Sequence, residues 1–356
     1  MRVSLRWIAE YTDLPDLPLE ELCERLTLAG LEVEETREIR AEGIFVGQIL
    51  SVEDHPHAQN LKVCEVRVQK ETYTTVCGAP NVAAGLLVPF ALPGALLPQG
   101  RVEKAQIRGV PSSGMILSRE ELGLEEKSSG IWELPKDLTP GEDLAKILEL
   151  PDVLLNLKIT SNRPDLLGVY GLAREFSALF DTDPREISVA FPEEDIAAEA
   201  LTSVEVESAE DCPRYVARVI QNVSWRPSPL SLEARLLKCG MRPISLVVDL
   251  TNYVMLELGH PLHAFDYEKL FARRIVVRRA REGEGIRTLD GLERSLSPEI
   301  LVIADGKRPV AVAGVMGGEE TEVSSGTQTV LLEAASFSPA RVRRGSRILG
   351  LRTEAS

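Results

Sequence analysis

The stretch from Leu246 to Asp266, LVVDLTNYVMLELGHPLHAFD, constrains this chain more than any other. It reads as an apolar, strand-like run, yet Asp249, Thr251 and Asn252 interrupt it, and His260 and His263 follow at a Gly-His-Pro break. Those are two of only four histidines in the sequence. An apolar segment keeps that many hydrogen-bonding groups only where they pair with one another or meet a ligand, because an unpartnered buried polar group is costly. The segment is therefore expected to set a polar constellation against an apolar wall.

A chain of 356 residues is long for one hydrophobic core and predicts two or three domains. Hydrophobic residues at 44% and charged residues at 27% place it among soluble globular proteins. The opening MRVSLRWIAEYTDL carries charge every few positions, and no stretch is long enough to span a bilayer. Neither a secretory signal nor a membrane partner is expected. Five cysteines, an odd number, predict free thiols in a reducing compartment, hence a cytoplasmic location. The net charge of -15 excludes a generic nucleic-acid coat, so any RNA must meet local basic faces. Two exist. Residues 60–110 hold six Lys or Arg against three Glu, and the stretch from Arg341 to Arg352 holds five arginines and no acid. The sequence stops at LRTEAS, which reads as the middle of a motif and predicts a truncated chain.

Residues 1–40 read as strand, helix, strand. The helix Pro18–Ala29 has Leu19, Leu22 and Leu26 at helical spacing, Pro at its start and Gly30 just past its end. From Gly43 to Leu150 the pattern changes to short alternating runs separated by turns at Asp54-His55-Pro56, Gly78-Ala79-Pro80-Asn81 and Leu92-Pro93-Gly94. Such a run predicts a small closed barrel of the oligonucleotide-binding kind. Residues 151–185 return to α/β text, with a strand Val153–Thr160, a turn at Asn162–Asp165 in which Asp165 is the expected helix N-cap, and an amphipathic helix Leu166–Phe180. The expected fold is therefore α+β and multidomain. An oligonucleotide-binding β-barrel at 41–150 is inserted in a small α/β domain made of 1–40 and 151–195. A larger mixed α/β domain, 203–356, follows, with a helix at Leu230–Gly240.

The blocks HPHAQNLKVCEVRV, VCGAPNVAAGLLVPFALPGALLP and IRGVPSSGMILSREELGL resemble the tRNA-binding module of bacterial methionyl-tRNA synthetases and their relatives. A barrel of that kind lets basic side chains track a phosphate backbone. Lys62, Arg67, Arg101, Lys104 and Arg108 are the candidates, with Ser112, Ser113 and Met115 in a loop that can reach RNA. The alternative is a barrel used for packing in a larger assembly. His55 and His57 with Cys64 and Cys77 are a poor match to zinc spacing, and no metal site is assigned. No phosphate loop or nucleophile elbow is present, and the glycines of AVAGVMGG lack the Lys-Ser/Thr pair of a phosphate cradle.

The opening stretch, read with AVAGVMGG (Ala311–Gly318) and LLEAASF (Leu331–Phe337), resembles the editing region of the bacterial phenylalanyl-tRNA synthetase beta subunit. That resemblance implies a B3/B4-type editing domain in which His263, Thr251 and Asn252 are catalytic and Glu333, Ala313, Gly314 and Thr353 bind substrate. The implied substrate is tyrosine wrongly esterified to tRNA(Phe). A hydrophobic pocket built for phenylalanine rejects an added hydroxyl only about 10²-fold, whereas a site that hydrogen-bonds the hydroxyl discriminates far better. Glu333, a carboxylate within an apolar strand, suits that role, with the phenol as its donor. His263 is expected to orient or deprotonate water, Thr251 and Asn252 to hold the water and the ammonium, and the Gly314 N–H to face the oxyanion. No Ser-His-Asp arrangement is evident, so direct attack by water is favoured. The bland alternatives are an arginine ion pair for Glu333 and a satisfied core histidine at His263.

The resemblance also implies that the chain is the N-terminal portion of a subunit of an alpha2-beta2 phenylalanine–tRNA ligase. The complete enzyme would use ATP and Mg2+, with the alpha subunit and tRNA(Phe) as partners, and this portion would need no cofactor. A second reading makes the chain a noncatalytic tRNA-binding or assembly module with a vestigial pocket.

Overall fold

The structure, a computed structural model, describes residues 1–353. It is mixed α/β with mostly antiparallel sheets, in two compact units. The first comprises Met1–Glu186 with Pro227–Pro243; the second comprises Ile187–Arg226 with the chain from Ile244 onward.

The first unit contains a three-stranded antiparallel sheet in the order Arg2–Ser4, Asp152–Lys158, Glu32–Ile39. Helix Leu19–Leu28 starts after Pro18 and buries Leu22 and Leu26, as its spacing predicts. Helix Val169–Phe180 buries Val169, Leu172, Ala173 and Phe176. Its cap is Gly168, not Asp165. Asp165 falls in a short 3-10 turn, where Arg163 grips it at 2.8 Å and Glu175 at the same distance. The expected cap is thus diverted into a surface ion pair.

The same unit holds a six-stranded antiparallel sheet. Its order is Met115–Ile116, Leu87–Leu97, Glu42–Asp54, Lys62–Val68, Glu71–Cys77, and Gly100–Arg101 pairs beside Leu87–Leu97. Alternate residues Cys64, Val66 and Val68 point into its core, with Ile49, Val88 and Phe90. The two edges are stitched by Ser113 N–H to the Thr74 carbonyl at 2.8 Å and by the Thr75 hydroxyl to the Gly114 carbonyl at 2.9 Å.

Segment 227–243, expected within the 203–356 domain, groups with this first unit instead. Leu230, Ala234 and Leu237 of helix Leu230–Lys238 join a core that includes Leu117, Trp132 and Leu154. The anchor is a buried ion pair. Lys238 Nζ lies 2.9 Å from Asp152, with neither side chain exposed, and donates to the Glu149 carbonyl at 2.8 Å. Asp152 also accepts from the Ser4 hydroxyl at 2.6 Å and the Val153 N–H at 2.8 Å. Burying two charges is tolerable only when every donor and lone pair finds a partner.

In the second unit a five-stranded sheet runs Ser203–Val206, Arg274–Arg279, Leu301–Ala304, Pro309–Val312, Met316–Gly317. Its first pair is parallel and the rest are antiparallel. A three-stranded antiparallel sheet runs Arg214–Ile220, Val330–Ser336, Leu262–Asp266. One face of this smaller sheet, through Phe265 and Leu331, packs with Ile275, Ile303, Val310, Ala311 and Ala313 of the larger sheet and its turn. The other face, through Ala264, Val330 and Leu332, packs with Val247 and Val248.

Residues Leu246–Leu258 form an α-helix, which corrects the strand-like reading of that stretch. The polar interruptions Asp249, Asn252, Tyr253 and Glu257 fall three and four apart, the helical period. Asp249 reaches back to accept from the Ile244 N–H at 2.8 Å, satisfying a donor at the helix start. Gly259, at φ +69°, ends the helix before strand Leu262–Asp266 begins.

Lys238→Met leaves the Asp152 carboxylate buried without its countercharge. The expected cost to the first unit is about 3–5 kcal/mol, read as a shift of its urea unfolding transition, while the second unit unfolds unchanged.

Candidate active site

The site is set by register. Glu333 is on the central strand Val330–Ser336, directly across from His263 on one side and Ala217 on the other. Side chains alternate along a strand, so Glu333 and His263 share the face that also carries Phe265 and Leu331, the one packed on the larger sheet. Glu333 is 6% exposed. Its partner among the described residues is the Tyr215 hydroxyl, which donates to Oε2 at 3.2 Å. An arginine ion pair is therefore not what holds it. Burial pushes the Glu333 carboxyl up to about 8, with the Tyr215 hydrogen bond acting weakly the other way. Burial thus favours the neutral form of the carboxyl over the carboxylate. Tyr215 itself is raised well above its ordinary value, first by burial and then by Glu333.

The His263 ring packs edge-on to Phe265, with centroids 4.4 Å apart, and its Nε2 is sealed from solvent without a hydrogen-bond partner among the described residues. Burial lowers its pKa to about 4, so the imidazole is neutral across the physiological range. It is not a satisfied core histidine. A neutral ring with an unpartnered nitrogen is a proton acceptor in waiting. Gly317 lies against it: a Cβ there would come within 2.3 Å of His263 Cε1.

The hairpin that carries Gly317 turns through Ala313 and Gly314. Ala313 is buried in the core shared with Phe265 and Leu331. Gly314 adopts φ +67°, and a Cβ there would come within 2.8 Å of Val342 and 3.3 Å of Phe337. Its N–H makes no hydrogen bond among the described residues. The Thr353 hydroxyl donates to the Val315 carbonyl at 2.8 Å, which ties the chain after helix Pro339–Leu349 to this turn. Ala313, Gly314 and Thr353 thus meet at one hairpin, and His263 lies against its Gly317.

Thr251 and Asn252 are carried by helix Leu246–Leu258. Their helix packs Val247 and Val248 on the sheet face opposite Glu333. The Thr251 hydroxyl is spent on the Val248 carbonyl at 2.7 Å. No hydrogen bond joins Thr251 or Asn252 to His263 or Glu333 among the described residues. Tyr215 was missed from sequence. Nothing in the sequence around it signals chemistry, and only its cross-strand diagonal to Glu333 reveals a role.

The basic candidates of the first unit are surface groups. Lys62 pairs with Asp54, Arg67 donates to Gln48, and Arg101 donates to the Gly94 carbonyl at 3.0 Å. Lys104 precedes, and Arg108 turns, the small hairpin Ala105–Ile107/Val110–Ser112. That hairpin is held by buried His55, whose Nε2 lies 3.0 Å from the Ile107 carbonyl while its Nδ1 accepts from the His57 N–H at 3.1 Å. Gly109 faces His57. The His-Pro-His turn thus brings Arg108 toward the loop that ends at Lys62. Ser112 is not available to RNA: its buried hydroxyl accepts from the Val76 N–H at 3.1 Å.

A B3/4 domain model matches residues 211–356, and a tRNA binding domain model matches residues 44–143. The phenylalanine–tRNA ligase beta subunit of Moorella thermoacetica is 48% identical over the whole of this chain, and that of Anaeromyxobacter dehalogenans is 49% identical. The chain covers 45% of each, less than half their length. An N-terminal fragment of the phenylalanyl-tRNA synthetase beta subunit from Pyrococcus horikoshii is a loose structural likeness. It is 16% identical with a TM-score of 0.31, over 57% of this chain and 63% of that one. Matched at close to half of its positions from end to end by these beta subunits, the chain belongs to the phenylalanine–tRNA ligase beta-subunit family.

Proposed function

We propose that this chain removes tyrosine from mischarged tRNA(Phe) by ester hydrolysis, at a site built from Glu333, His263 and the Ala313–Gly314 turn. The observation that carries the reading is the pairing of two sealed groups, the Glu333 carboxyl and the unpartnered His263 Nε2, side by side on one strand pair. Water gives a proton to His263 Nε2 as its oxygen bonds to the ester carbonyl carbon. The oxyanion that forms faces the Gly314 N–H. Collapse breaks the bond to the ribose oxygen, which takes the proton and leaves as the 3′-terminal hydroxyl. Cys212 is not the nucleophile, since burial and then Glu333 push its thiol up to about 11. Glu333 and Tyr215 form the polar end that a tyrosine phenol joins; phenylalanine brings no donor to it. Ala313 and Thr353 wall the turn, and Thr251 and Asn252 enter as rim residues on the helix leading to His263.

The six-stranded sheet is proposed as an oligonucleotide-binding barrel that contacts tRNA through Lys62, Arg67, Arg101, Lys104 and Arg108, supported by the tRNA binding domain match over residues 44–143. The complete protein is proposed to be the beta subunit of an alpha2-beta2 phenylalanine–tRNA ligase in the cytoplasm, charging tRNA(Phe) at the expense of ATP with Mg2+. Among the described residues no three metal-ligating side chains gather, so no step here is routed through the metal. No helix among the described residues is long and apolar enough to cross a membrane.

Tyrosyl-tRNA(Phe) and phenylalanyl-tRNA(Phe) are the deciding substrates. The chain is expected to release tyrosine selectively, and Glu333→Ala to lose that preference. Release at the buffer rate by both this chain and the complete alpha–beta enzyme would sink the reading. Gly317→Ala pushes a methyl into the His263 ring and is expected to lower hydrolysis at least as much as His263→Ala, with tRNA binding unchanged in a filter assay.

The pH dependence follows from the two buried groups. Glu333 rises from 4.5 to about 8 on folding, so its contribution is lost as pH climbs through 8. His263 falls from 6.5 to about 4, so its contribution is lost as pH drops through 4. Their slopes oppose one another from about 4.5 to 6.5 and leave Glu333 alone from 6.5 to 8. Stability of the second unit is expected to decline over that upper window in denaturant titrations, and Glu333→Gln to flatten the decline.

A further inference from the structure

Helix Pro339–Leu349 carries arginines that the pocket does not use. The protein is acidic, and most of its basic groups near this unit's sheets are neutralised. Arg273 pairs with Glu268, Arg274 with Glu205, Arg278 with Glu284 and Arg279 with Asp211. Two arginines of the helix follow the same rule: Arg341 pairs with Asp211 at 2.7 Å and Arg344 with Glu299. Those pairs fix the helix. Arg343 and Arg347 are exposed and make no ion pair among the described residues. Four residues apart, they stand on one helix face, one turn above the other. Arg352, also exposed and unpaired among the described residues, follows just past the helix, one residue before the Thr353 bond to the turn.

This ridge adjoins the Gly314 turn. Val342, next to Arg343, packs on Gly314, and three residues further along the hairpin Gly317 abuts His263. On a chain of net charge -15, guanidiniums left without an ion pair among the described residues beside that turn are open to an anion.

We propose that Arg343 and Arg347, with Arg352, form a phosphate-binding ridge that leads the single-stranded 3′ end of RNA to the Gly314 turn. The proposal rests on the editing reading for its substrate, while its binding arm stands apart from it. Arginine suits the task, since its fork grips phosphate oxygens bidentately.

The test compares the unmodified chain, the double variant Arg343→Gln/Arg347→Gln, and Arg273→Gln/Arg274→Gln, which removes the same charge from paired positions. Two substrates are used: tyrosyl-tRNA(Phe), and a tyrosyl ester of adenosine, which has no phosphate. The ridge variant is expected to raise KM for the tRNA several-fold with kcat kept, and to leave hydrolysis of the adenosine ester unchanged. It should also reduce the salt slope of tRNA binding by about 1.4, for two single-strand phosphate contacts. The paired-position variant should match the unmodified chain. Unchanged KM and salt slope in the ridge variant would overturn the proposal and leave the ridge to a different partner. An equal loss on the adenosine ester would also overturn it, by making the ridge a structural support of the pocket. Should the unmodified chain hydrolyse neither substrate, the salt slope decides for the ridge alone: a reduced slope keeps it and an unreduced slope removes it, while the editing reading is decided by the complete alpha–beta enzyme.

Discussion

The first unit depends on one buried charge. Asp152 begins the central strand of its small sheet, and within its reach lie Lys238, the Ser4 hydroxyl and the Val153 N–H, drawn from the chain's start, its middle and a helix more than eighty residues later. A buried carboxylate cannot be left short of donors, so these segments are held in one place or not at all. Arg235, one turn earlier on the same helix, repeats the logic at the surface by pairing with Glu149 and Glu10. The second visit of the chain to this unit, 227–243, is the consequence.

The second unit contains the opposite case. Glu333 is as buried as Asp152, yet among the described residues its countergroup is a phenol at 3.2 Å. Its neighbour His263 has a sealed nitrogen with no partner among those residues. Where the first unit surrounds a buried carboxyl with donors, the second leaves one with a single phenol, and burial pushes it up to about 8. Incomplete satisfaction is costly to folding, and it is what an interaction site requires, because an arriving donor then completes a set that the protein alone leaves open. The same contrast separates the paired arginines of strand Arg274–Arg279 from Arg343 and Arg347 on helix Pro339–Leu349, which make no ion pair among the described residues.

Much of this was legible beforehand. Helix Leu19–Leu28, the short alternating strands between 42 and 97, and strand Asp152–Lys158 follow from periodicity and punctuation, which are local properties. Glu333 and His263 stood out as polar groups in apolar text. The misreadings have physical causes. Helix Leu246–Leu258 is dense in apolar and β-branched residues, which read as strand although its polar groups fall at helical spacing. Asp165 has the chemistry of an N-cap but a stronger partner in Arg163. Helix Leu230–Lys238 was placed by its position in the chain, and its membership turned on one lysine whose partner lies 86 residues away.

What the sequence alone determined is which residues carry chemistry and which elements they ride on, because residue type, alternation and helical spacing act over a few neighbours. What only the tertiary structure decided is who meets whom. Strand register put His263 and Tyr215 beside Glu333, sheet faces kept Thr251 and Asn252 from hydrogen-bonding to them, and burial moved the Glu333 carboxyl to about 8 and the His263 imidazole to about 4. Pairing across a sheet and exclusion of water are properties of the assembled core, and no window of sequence contains them.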